Sequence, residues 1–151
     1  MTYTASEARQ ELLDEVALAI EELAGAIAAV GEAYDALDEH MADRLEEELF
    51  RPLQGAYAAA TRTYAGFATR HGLPARRFDP APAPAPHGVR RLVDDAVDSV
   101  AHADQILADL QDSMAPVEVG DPELRAGLAD VRTRLGDVPS RAQRLISVLG
   151  R

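Results

Sequence analysis

The sequence predicts an all-α protein, a four-helix bundle made of two helical hairpins joined by a proline-rich linker. Three observations carry that reading. Apolar residues recur at alternating steps of three and four along most of the chain, as in helices that bury one stripe. Alanine is the commonest residue, which suits closely packed helices. Proline is concentrated in Leu73–Gly88, LPARRFDPAPAPAPHG, where Pro74, Pro80, Pro82, Pro84 and Pro86 remove amide donors and fix φ. That stretch is therefore extended and semi-rigid.

A chain of 151 residues suits one domain, here residues 1–151, long enough to bury a true core. The expected helices span about 5–30, 35–71, 88–115 and 122–149, with the linker at 73–87. In the first, Thr4-Ala-Ser-Glu7 has the form of a capping box. Leu13, Val16, Ile20, Leu23, Ile27 and Val30 then make a heptad seam, with Glu11, Asp14, Glu15, Glu21 and Glu22 facing outward. Each buried seam residue contributes about 1.5–3 kcal/mol, enough to outweigh the local preferences of the acids. Gly31 suits a helix C-terminus and Asp35 a following N-cap, so a hairpin turn is expected at Gly31–Tyr34.

The second helix is long and contains Pro52. Its later seam, Phe50, Leu53, Tyr57, Ala60, Tyr64 and Phe67, is out of phase with Tyr34, Leu37 and Met41 before it, which predicts a kink near the proline. His71-Gly72 reads as its C-terminus. The third helix carries Val89, Val93, Ala96, Val100, Ala103, Leu107, Leu110 and Met114, and Pro116 ends it. Asp121-Pro122-Glu123 restarts the chain with an N-cap, a proline at N1 and an acid in the first turn. Leu124, Leu128, Val131, Leu135, Val138, Ala142, Leu145 and Leu149 follow in phase across Pro139.

Composition excludes several chemistries. There is no Cys, so disulfides, thiolate metal sites and Cys nucleophiles are ruled out, and no Lys, so a Schiff-base lysine is too. The formal net charge of −11 argues against nucleic acid and against an anionic membrane surface as partners. No apolar run reaches the length of a transmembrane helix, and the first residues lack the pattern of a signal peptide. A cytoplasmic protein needing no cofactor is the expectation. The charges are also sorted along the chain. Residues 1–50 carry fourteen acids against Arg9 and Arg44, 51–91 are Arg-rich, 92–124 are acidic and 125–151 are Arg-rich again. Complementary neighbours are expected, the first helix with the fourth or the third with the end of the second.

Candidate sites are few. Ferritin-like metal sites need Glu-x-x-His pairs, and the residues three before the four histidines are Leu37, Ala68, Pro84 and Ser99. Asp94, Asp98 and His102 share one patch of the third helix and could hold a cation, although that patch points outward. Glu11-x-x-Asp14 and Glu32-x-x-Asp35 resemble the magnesium-binding signature of the all-α nucleoside triphosphate pyrophosphohydrolases, the MazG-like group, with Asp14 where that family has Glu. That resemblance implies a metal-dependent hydrolase using acids of the first two helices. Glu46–His71, with its Phe-x-Pro-Leu element, resembles the kinked middle helix of BAR-type membrane-curving dimers. There Arg62, Arg70, Arg76, Arg77, Arg90 and Arg91 would meet lipid.

The leading expectation is a non-catalytic interaction or self-assembly module, with a protein partner or a homodimer. Phe50, Tyr57, Tyr64 and Phe67 are its expected partner-binding residues, because an overhanging aromatic half-helix would expose apolar surface. At ~3.1 Å per residue the linker reaches roughly 45 Å, about the length of the third helix. It can therefore cap one end of the helices or run their full length.

Overall fold

A computed structural model of the chain describes residues 4–149, and those residues contain helices and no strand. The helices are α1 (Ala5–Asp35), α2 (Glu39–Leu45), α3 (Arg51–Arg70), α4 (Val89–Asp112), α5 (Ala115–Val119), α6 (Pro122–Leu135) and α7 (Val138–Leu149). A π-helical segment, Glu46–Phe50, joins α2 to α3. None of the described helices is long and apolar enough to cross a membrane.

α1 starts at the capping box that the sequence spells out. The Glu7 amide donates to the Thr4 hydroxyl at 3.1 Å, and the Thr4 amide donates to the Glu7 carboxylate at 2.9 Å. The helix does not stop at Gly31. It continues to Asp35, because Ala33 still buries its methyl against the core. The turn therefore falls at Ala36–Asp38, and Asp38 rather than Asp35 caps α2, accepting from the Met41 amide at 2.9 Å. The expected kink at Pro52 is also relocated. The phase slip is absorbed one turn earlier by the π segment, whose wider hydrogen bonding accommodates the missing amide and the bulk of the ring at Pro52.

α3 ends as expected at His71 and Gly72. Gly72 is left-handed (φ 63°), the Leu73 amide donates to Ala68 O at 2.9 Å, and the Gly72 amide donates to Thr69 O at 3.3 Å. α4 ends at Asp112, three residues short of the expected boundary. Met114 takes a left-handed conformation (φ 66°) and is 54% exposed, so it leaves the stripe that the periodicity assigns to it. Pro116 then sits in the first turn of a separate short helix, α5. The last expected helix is divided as well. α6 ends at Leu135 and α7 begins at Val138, so the break precedes Pro139, while both flanking stripes stay buried.

α1 packs most extensively along α4, and also against α3. α6 packs on α3 and α4, and α7 on α4 and the π segment. α1 and α4 both bury small residues, Ala19, Ala26 and Ala29 on the one and Ala96 and Ala103 on the other, which suits close approach of the two helices. Leu13, Ile20, Leu23, Leu45, Leu49, Leu53, Phe67, Leu107, Leu124, Leu128 and Leu145 fill one continuous core.

The linker runs the length of the helices. The Arg76 amide donates to the Tyr64 hydroxyl at 3.2 Å, and the Phe78 ring meets Tyr64 edge-on at 4.9 Å. Pro80 and Ala81 line one cavity together with Gln54 and Tyr57, and Ala81 and Ala83 line a second with Phe50 and Tyr34. The strap thus climbs back along α3 in the groove between α3 and α1. α4 consequently starts at the end where α3 starts, runs parallel to it, and lies antiparallel to α1, with Leu110 beside Leu12 at the far end.

Candidate functional site

The sequence-predicted residues separate into distinct places. Glu11, Asp14, Glu32 and Asp35 all lie on the single helix α1, because the chain does not turn at Gly31. At ~1.5 Å per residue the two motifs are about 27 Å apart along one axis, so they cannot face each other across a metal. Asp94, Asp98 and His102 are exposed on α4, with His102 Nδ1 3.9 Å from a Glu22 carboxylate oxygen. Among the described residues no three His, Asp or Glu side chains converge as a metal site would require. The arginines of the membrane reading scatter. Arg70 pairs with Asp121 and Glu123, Arg76 pairs with Glu21, and Arg90 and Arg91 stand at the opposite end of the strap.

The aromatic stripe is not an open surface. Tyr64 and Phe67 are core residues, 4% and 1% exposed, and Phe50 and Tyr57 are half-buried. What covers the Tyr64 end is the strap itself. Arg76 stacks over Phe78 at 4.6 Å, so the strap contributes an aromatic–cation pair of its own. Beyond Phe78 no hydrogen bond ties residues 79–87 to the helices among the described residues. That half of the strap rests on apolar contact alone.

Two cavities flank it. One, of about 460 Å³, is lined by Ala24, Ile27, Gln54, Tyr57, Phe78 and Pro80. The other, of about 500 Å³, is lined by Gly31, Glu32, Tyr34, Asp35, Glu46 and Phe50, with Ala83 of the strap as one wall. Ala28 and Ala81 belong to both. The second cavity brings together Glu32, Asp35 and Phe50, which the sequence singles out for unrelated reasons. It adds Tyr34, 38% exposed, and Glu46. The absence of a side chain at Gly31 lets the Phe50 ring lie against α1, since a Cβ there would sit 3.9 Å from Phe50 Cε2. Glu46 and Phe50 both come from the π segment, whose altered phase turns them toward the end of α1.

At the other end of α3 lies the most buried charge among the described residues. Asp121, 4% exposed, accepts from Arg70 through Nε and Nη2, each at 3.0 Å, from His71 Nε2 at 2.8 Å and from the Leu124 amide at 2.9 Å. Burial pushes its carboxyl up. The bonds from Arg70, Leu124 and His71, together with the Arg70 charge, outweigh that and hold it below the ordinary carboxylate value. Arg70 also donates to Glu123 at 2.8 Å. Every group of this cluster is paired, and it fastens the end of α3 to the start of α6. Sequence reasoning identified Asp121 only as an N-cap, because its partners are fifty residues away.

The charges are not arranged as expected. The two acid-rich helices, α1 and α4, are neighbours and together carry fourteen carboxylates against Arg9, Arg90 and Arg91. α3 and α6 are neighbours too, and with α7 they carry eight arginines against Glu123 and Asp130. Burial of the Ala-rich stripe decides that pairing, since exposed ion pairs are worth only tenths of a kcal/mol. Among the described residues Arg132 ties the two faces through Asp104 at 2.9 Å, while Arg144 meets Glu48 of the π segment at 3.8 Å. Glu15, Glu32, Asp35, Asp94, Asp95 and Asp98 make no ion pair among the described residues. Comparison of the chain with known protein families, with curated proteins and with solved structures finds no match.

Proposed function

We propose that the chain is a non-catalytic interaction module, a four-helix bundle of two hairpins joined by the proline strap, which assembles through oppositely charged faces. The observation that supports this is the segregation of charge, with α1 beside α4 and α3 beside α6. Setting like-charged helices side by side is a small cost to the isolated fold. It becomes a gain when a surface of opposite sign covers it. The arginine face of α3, α6 and α7 is such a surface, so a second copy is the partner named by the chain itself. The expected contact is acidic face to arginine face.

Light scattering coupled to size exclusion, run across ionic strength, tests the proposal. The expected result is a mass above 16.2 kDa at low salt that returns to 16.2 kDa at several hundred millimolar salt. A mass of one chain at every salt and concentration would remove the self-assembly form. A second reading, a separate cationic protein on the α1–α4 face, is favoured by the net charge of −11, which repels a second copy at long range.

A further inference from the structure

We propose that the 500 Å³ cavity at the end of α1 is a binding site for a guanidinium group on an apolar stem, as an arginine side chain presents it. The inference does not depend on whether two copies meet. It rests on the chemistry of the lining and on a local conflict in α1.

The lining suits a planar organic cation. Tyr34 and Phe50 supply two aromatic rings, and Glu32, Asp35 and Glu46 supply carboxylates around them. A guanidinium stacks on aromatic faces and forks onto carboxylates, whereas its stem needs apolar wall. Ala28, Gly31, Ala81 and Ala83 provide that wall. The volume lies in the range of sites that enclose small organic groups. A bare metal ion is a poor fit, since the carboxylates do not converge as ligands.

The conflict is electrostatic. A 31-residue helix presents the negative end of its dipole at its last turn, where a cation is favoured. α1 has no basic residue there and places Glu32 and Asp35 at that end instead. The next chain segment adds Asp38, Glu39, Asp43 and Glu46. Arg90 and Arg91, in the first turn of α4, do not line the cavity and make no ion pair among the described residues. Glu32, Asp35 and Glu46 likewise have no ion-pair partner there. A bound cation relieves dipole and carboxylates together. The strap residues that wall the cavity, Ala81 and Ala83, belong to a stretch that makes no hydrogen bond to the helices among the described residues.

The test uses the full chain and two probes, N-acetyl-arginine amide and N-acetyl-citrulline amide, which share shape and differ in charge. Backbone amide shifts in an NMR titration report binding and its place. The expected result is saturable shifts confined to 28–35 and 46–50 with the arginine probe, and at least tenfold weaker binding of the citrulline probe. Tyr34→Leu keeps the apolar contact and removes a ring, and it is expected to weaken the arginine probe about fivefold. Paired Glu32→Gln and Asp35→Asn substitutions weaken it further, whereas Glu15→Gln, on the same helix but away from the cavity, leaves it unchanged. A melting curve for each variant confirms folding. Equal binding of the two probes, shifts spread over the whole acidic surface, or equal loss in Glu15→Gln would overturn the assignment. Light scattering during the titration separates the sources. A drop in mass as the site fills identifies a second copy as the natural donor of the arginine, and saturable binding with no change in mass excludes a second copy as that donor.

Discussion

Asp121→Ala is the substitution for which the structure gives the clearest arithmetic. It removes an N-cap bond to Leu124, worth about 1 kcal/mol. It also removes a paired, charge-assisted contact to Arg70, whose side chain is 31% exposed and therefore partly screened, so that contact is worth about 1–2 kcal/mol. His71 loses its carboxylate partner as well. The sum is about 2–4 kcal/mol, or roughly 5–15 °C in the melting temperature of a chain this size. Asp121→Asn keeps a capping oxygen and loses the charge, so about half that loss is expected. Because the native carboxyl titrates below its ordinary value, its contribution is complete above the unfolded value near pH ~4 and is lost as pH falls through the native one. Urea melts of the wild type and Asp121→Asn should therefore differ at pH 7 and converge below about pH 4. A difference that stayed constant from pH 7 to pH 3, or an Asp121→Ala cost under ~0.5 kcal/mol, would refute the reasoning.

Two further substitutions probe the packing. A Cβ at Gly127 would lie 2.4 Å from Thr63 Oγ1 and 2.7 Å from its Cγ2, so Gly127→Ala forces α3 and α6 apart. The overpacking costs about 1–3 kcal/mol despite the better helix propensity of Ala, and Thr63→Ala on the same chain should recover most of it in a urea melt. Phe78→Ala removes the ring that seats the strap on Tyr64, with an expected cost of about 1–2 kcal/mol and faster amide exchange in the strap. A Phe78→Ala chain as stable as the wild type would mean that the strap does not lie in the α1–α3 groove.

Much of the local structure was legible in the residues because its causes are local. The Thr4–Glu7 box, the Gly72 cap and the Asp121 N-cap each depend on side chains within a few positions of one another. Leu13, Ile20, Val93, Leu107, Leu128 and Leu145 are buried where their spacing placed them. Gly31 and Pro52 misled, since each local signal was overridden from outside. Continued burial at Ala33 carries α1 past the glycine, and a π segment absorbs the proline.

The candidate site was legible only in fragments. Glu32 and Asp35 drew notice as half of a metal motif, and Phe50 as part of an exposed stripe. The spacing places Tyr34 on the seam with Leu37 and Met41, yet the structure leaves it 38% exposed, and Glu46 stands out only as the start of the kinked stretch, because what unites the five is the phase of the π segment and the path of the strap.

The sequence by itself determined that the chain is helical, which face of each helix is buried, and that residues 73–87 could not join a helix. Those follow from periodicity and from the missing proline amides. Only the tertiary structure decided that the strap runs the length of the helices, that it covers Tyr64, and that like-charged helices stand together. Each of these turns on which stripes meet, and burial of small and apolar side chains outweighs the exposed charges from which a pairing might be read.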